Sequence, residues 1–159
     1  MSNAEFFAKR LAAELPSFSK VIRALPSSRL DYRPHERSTS ANQLAWQLAY
    51  EMSDLADLFE KGSATYVPGQ PVPASLDEIA DAFDRNSAHA VEAAKAGDAR
   101  WNEPAKFLVG EQVVWEDTVG EMAWGFLLDM IHHRGQLSTY IRPMGGKVPS
   151  IYGPSGDEQ

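Results

Sequence analysis

Cysteine is absent from the 159-residue chain. That excludes a disulfide framework, a protein thiolate nucleophile and thiolate metal ligands. No apolar run approaches the ~18 residues that a membrane-spanning helix needs. The start, MSNAEFFAKRLAAEL, places acidic and polar residues where a secretory signal would be continuously apolar. A basic surplus is also missing: 15 Lys and Arg stand against 22 Asp and Glu, a formal charge of -7. Such a chain has little with which to displace counterions from a nucleic-acid backbone. There is no P-loop, G-x-G-x-x-G, G-x-S-x-G or H-E-x-x-H pattern. Nucleotide hydrolysis, dinucleotide redox chemistry and the common hydrolase plan are therefore poor first readings. What remains is a cytoplasmic enzyme or small-molecule-binding protein, with no nucleic-acid or membrane partner.

What is present describes one globular domain over residues 1–159. Hydrophobic residues make up 43% and charged residues 23%, and 7 Phe, 5 Tyr and 4 Trp supply core-building bulk. Helical periodicity dominates. Phe6, Phe7, Leu11, Leu15, Phe18, Val21, Ile22 and Leu25 recur at spacings of three and four, with Pro16 expected to kink or divide that helix. The segment from Leu25 to Ser40 holds two prolines among serines and threonines and reads as a loop. Ser40 and Gln43 form a capping box ahead of a stripe of Leu44, Leu48, Met52, Leu55 and Phe59, and Gly62 is its stop.

Thr65 to Ala74 carries three prolines and reads as a loop or crossover; Ser75 and Glu78 then open a third helix ending near Gly97. Between Trp101 and Asp117 the pattern weakens, with room for a short extended piece around Val113 to Trp115. A last helix is expected from near Thr118 through Ile141, bent or ended by Pro143. Four amphipathic helices predict an all-α bundle with an irregular C-terminal tail. Tyr152 either anchors that tail on the bundle or lies in a solvated end.

The chemistry-bearing stretch is LLDMIHHRGQLSTYIRP. On a helix, adjacent His132 and His133 diverge by about 100°, whereas Asp129 shares a face with His133, and His132 with Gln136. A carboxylate and an imidazole four residues apart suit several divalent metals. They also make an ordinary hydrogen-bonded pair in a bundle core.

The segment HHRGQLSTYIRPMGGKVPSIYG, together with SANQLAWQLAYE earlier in the chain, resembles the DinB-like superfamily, the damage-inducible metalloprotein bundles rather than the DNA polymerase of the same name. The resemblance extends over nearly the whole chain. It implies an up-down-down-up four-helix bundle with a long connection between the second and third helices, and a homodimer.

Family members usually bind nickel or zinc through three histidines, one from the second helix and an H-x-x-x-H pair from the last. Laid onto this chain, those positions fall on Gln47, Asp129 and His133, so two of the three usual ligands are replaced. A Gln/Asp/His set is harder and richer in oxygen, and would hold such a metal weakly or not at all. Glu51, one turn after Gln47, is an additional acidic partner.

Known relatives include thiol-dependent S-transferases and a mycothiol-dependent isomerase, which implies a metal-dependent thiol transferase. The alternative is a non-catalytic binding or dimerisation module that has lost the metal. Arg134 is read either as complementing the helix dipole or as capturing an anionic group at the pocket mouth. His132, Gln136 and Tyr140 complete the candidate pocket, Tyr140 with a core reading beside it. The four tryptophans read as core or interface.

Overall fold

A computed structural model describes residues 1–158; Gln159 lies outside the described residues. Helix α1 spans Asn3–Arg23, α2 Ala41–Lys61, α3 Leu76–Ala96 and α4 Val119–Ile141. Three strands accompany them: β1 Ser63–Tyr66, β2 Pro104–Val109 and β3 Gln112–Thr118. The expectation of an all-α fold is therefore corrected to four helices with a small sheet in order β1-β2-β3.

Local chemistry sets the helix ends. Ser2 and Glu5 close a capping box on α1. Ser40 N donates to Gln43 Oε1 at 3.2 Å at the start of α2, and Gly62, with φ of 71°, ends that helix in the left-handed region. Thr118 Oγ1 accepts from Glu121 N at 3.3 Å where α4 begins. Of the two outcomes expected at Pro16, a kink or a division, the division does not occur: Pro16 lies inside the one helix α1. The carbonyl it leaves unpaired belongs to Ala12, which is exposed, so water can satisfy it, while Leu11, Phe18, Val21 and Ile22 stay buried on the other face.

Helix directions follow from cross-helix pairs. Phe7 meets Trp124 and Glu14 meets Arg134, so α1 and α4 run parallel. Glu51 meets Asp129 while Thr39, just before α2, accepts from Tyr140, so α2 and α4 are antiparallel. Asn86 bonds Ala49 and His89 bonds Glu60, which sets α3 parallel to α2. The result is up-down-down-up. Two linkers are long: residues 62–75 between α2 and α3, and residues 97–118 between α3 and α4.

Both linkers contribute to the sheet. Strand β1 pairs in parallel with β2, Ser63 opposite Lys106, and β2 returns antiparallel as β3 through a two-residue turn at Gly110 and Glu111. A register break after Phe107 leaves Phe107 opposite Trp115 and Leu108 opposite Val113. Such a bulge re-aims side chains; both rings here meet Phe126 of α4. A Cβ on Gly125 would lie 2.4 Å from Trp115 Cη2, so glycine is what lets the indole lie on the helix.

Arg134 follows the buried stripe Met122, Phe126, Met130, Leu137 and Ile141 rather than the helix end, and is only 2% exposed. Its Nη1 donates to Glu14 Oε2 at 2.8 Å and to Ser17 Oγ at 2.6 Å, and its guanidinium covers the Phe18 ring. The Tyr152 hydroxyl bonds the same carboxylate at 2.7 Å, tying down residues 142–158, which form neither helix nor strand. Burial alone would raise the Glu14 carboxyl, but hydrogen bonds from Arg134 and Tyr152 hold it below its ordinary value.

Breaking one partner of a buried pair strands the other charge. Arg134→Ala is expected to destabilise the fold by about 3–5 kcal/mol in urea titration. A loss within the ±0.5 kcal/mol of ordinary surface substitutions would show that the pair is not structural.

Candidate metal centre

Helices α2 and α4 face each other antiparallel and bring three potential ligands together. One oxygen or nitrogen each from Glu51, Asp129 and His133 lie within 4.8 Å of one another. Metal bonds of 2.0–2.2 Å hold donors no more than about 4.4 Å apart, so a small side-chain adjustment closes the set. Glu51 is buried, His133 half-buried and Asp129 exposed, giving a cluster with a protein floor and a solvent-facing rim.

The hydrogen bonding is incomplete in a telling way. Gln47 Nε2 donates to Glu51 Oε1 at 2.7 Å, while Glu51 Oε2 is buried and has no partner. His133 Nε2 lies 3.2 Å from Asp129 Oδ2, and Nδ1 lies 2.8 Å from the Gln136 Oε1 as that amide is oriented. A neutral imidazole that donates from Nε2 to Asp129 accepts at Nδ1, a role the Gln136 amide meets with its NH2 when turned. The unpartnered Glu51 oxygen is the deficit that a proton or a cation would answer. Two carboxylates and one imidazole therefore fit a divalent ion.

Glu51 and Asp129 of the cluster line a cleft of about 580 Å³ between α2, α4 and the sheet. Tyr50 and Tyr66 stack across one side at 5.7 Å, and Phe107, Trp115 and Phe126 form the other. Three acids line this space, Glu51, Asp54 and Asp129, and no lysine or arginine does. Burial, partly offset by the Gln47 bond and reinforced by the Asp129 and Asp54 charges, pushes the Glu51 carboxyl up to about 8. Burial, with Asp57 nearby, pushes Asp54 up to about 7. The Tyr50 phenol is raised as well, chiefly by burial.

The residues singled out in the sequence thus take distinct places. Asp129 and His133 are joined, Glu51 is the carboxylate that meets them, and Gln47 lines the cleft one turn away, bonded to Glu51. His132 is exposed and does not pair with Gln136, whose amide instead meets His133. Arg134 and Tyr140 do not line the cleft. Arg134 is buried against α1, and the Tyr140 hydroxyl donates to Thr39 O at 3.1 Å while its ring packs edge-on to Tyr32. Asp54, Tyr50, Tyr66, Phe107 and Trp115 were missed as site residues; only the spacing of Glu51 and Asp54 along α2 beside Gln47 hinted at any of them.

Geometry of this kind, four helices with a carboxylate-imidazole cluster between two of them, defines a helical-bundle protein with a candidate metal centre. The DinB family profile matches residues 1–159, and the chain belongs to that family. It is 25% identical over 156 residues to the uncharacterized protein YrdA of Bacillus subtilis, covering 97% of this chain and 90% of YrdA. Two crystal structures share the fold. A DinB-like protein of Bacillus cereus superposes with a TM-score of 0.71 at 20% identity, covering 92% of this chain and 95% of its own. The DinB-like protein YjoA of Bacillus subtilis gives 0.69 at 17% identity, with coverage of 96% and 98%.

The raised Glu51 carboxyl carries a pH signature. A raised acid favours the protonated folded state, so its stability is complete below the ordinary 4.5 and is lost as pH rises towards about 8. Metal-free protein should therefore lose thermal stability across that window, and Glu51→Gln should flatten the slope. A wild-type profile parallel to that of Glu51→Gln would contradict the assignment.

Proposed function

We propose that Glu51, Asp129 and His133 hold one divalent ion, zinc or nickel, and that the adjoining cleft presents a low-molecular-weight thiol for S-transfer to a second small molecule. The observation carrying this reading is that Glu51, whose buried Oε2 has no partner, offers a carboxylate oxygen within 4.8 Å of ligand atoms of Asp129 and His133. A divalent ion there would lower the pKa of a bound thiol or water, so that the anion forms near neutral pH.

The chain's own groups supply the rest. It has no cysteine, so the thiol arrives with the substrate. Gln47 fixes the Glu51 carboxylate through its amide nitrogen and keeps its carbonyl oxygen as a further donor. Asp54, lining the same cleft with its carboxyl pushed up to about 7, is suited to take the thiol proton onto a carboxylate oxygen. The aromatic walls exclude water and orient the apolar part of the acceptor. The same reading includes a cytoplasmic homodimer. No helix of the described residues is long and apolar enough to cross a membrane. Leu128 on α4, 63% exposed, and Val114, 50% exposed, are apolar surface that such a dimer would cover.

A second reading, a binding module without metal, draws on one observation. With Glu51 protonated, the Gln47–Glu51 and Asp129–His133 contacts already pair most of the polar groups. Elemental analysis of untagged protein separates the two. The proposal predicts about one bound divalent ion per chain, lost in both Asp129→Ala and His133→Ala, with thiol transfer lost alongside. A metal-free protein whose two variants are merely less thermostable would favour the binding module.

A further inference from the structure

We infer that the cleft opens into a second chamber built to take an anionic group, a carboxylate or a phosphate, at the end of the ligand away from the metal cluster. This chamber, about 330 Å³, shares Gln47, Tyr50 and Tyr66 with the first, so the two adjoin. The first is lined by three acids and no arginine or lysine; the second is lined by Arg33 and Arg37 and by no acid. In a chain of formal charge -7, that reversal between two adjoining cavities sets the second apart.

The donors are guanidinium groups. Trp46 lines the chamber beside them, so its indole N–H is a reporter of what enters. Arg33 is held in place by bonds to Ser38 O at 2.8 Å and Gln43 Oε1 at 3.1 Å. Arg37 has no side-chain partner among the described residues, and neither arginine is in an ion pair there, although Asp31 and Glu36 lie in the same loop. Guanidinium groups favour carboxylate and phosphate oxygens.

The anion chamber stands without the metal. That one ligand spans both chambers, anionic at one end and reactive at the other, rests on the metal reading above.

Four indole N–H resonances can be followed in ¹⁵N-labelled protein stripped of metal and dialysed free of chelator. Trp46→Phe identifies the relevant signal by its disappearance. Inorganic phosphate and acetate, titrated separately at constant ionic strength, should shift that signal saturably; the tighter of the two gives the head group. Arg37→Gln, which breaks no bond of the folded chain, should weaken binding about tenfold or more. No saturable shift with either anion, or an Arg37→Gln titration matching wild type, overturns the proposal. Because the protein is metal-free throughout, a failure of the metal reading leaves this result intact.

Discussion

Burying the Glu51 carboxyl between α2 and α4, opposite Asp129 and His133, is the constraint from which the rest of the site follows. A carboxylate there is desolvated, faces two further acids and keeps one oxygen without a partner. Low-dielectric surroundings make that arrangement costly unless a positive charge joins it. A proton and a divalent ion would compete for the same lone pairs. Antiparallel α2 and α4 set the three side chains at one level, with Glu51 buried beneath and Asp129 at the solvent-facing rim.

The remainder of the molecule supports that level. Arg134, one residue beyond His133, is turned about 100° around the helix and locks α4 to α1 through Glu14, with Tyr152 closing the contact. One helix thus presents Asp129 to the cleft and Arg134 to the core. The small sheet has a similar division of labour: its bulge turns Phe107 and Trp115 onto α4, where Gly125 makes room. In the adjoining chamber the lining changes from acidic to basic, which would give a ligand that spans both a direction.

Much of the helical frame was legible because its signals are local. The Ser40–Gln43 box, the Gly62 stop and the Thr118 start each need only a few neighbouring residues. Strand β1 was read as the start of a loop because its partner lies some forty residues away, opposite Lys106, and parallel pairing leaves no local alternation. Only the Val113 to Trp115 portion of β3 was anticipated. At the site, spacing could pair Asp129 with His133 but not decide which α2 side chain meets them. Gln47 and Glu51 share a face and have side chains of equal length, and it is Glu51, one turn further along α2 and bonded by the Gln47 amide, that places an oxygen at the cluster. Arg134 was misplaced by chain position alone, since its burial depends on Glu14 more than a hundred residues earlier.

The most direct test of this account is a crystal structure of the protein soaked with zinc, with anomalous data collected at the metal edge. The account predicts one peak between α2 and α4, about 2.0–2.2 Å from oxygens of Glu51 and Asp129 and from His133 Nε2. A peak bound elsewhere, or a cluster that stays without metal while Glu51 remains hydrogen-bonded to Gln47 alone, would contradict it.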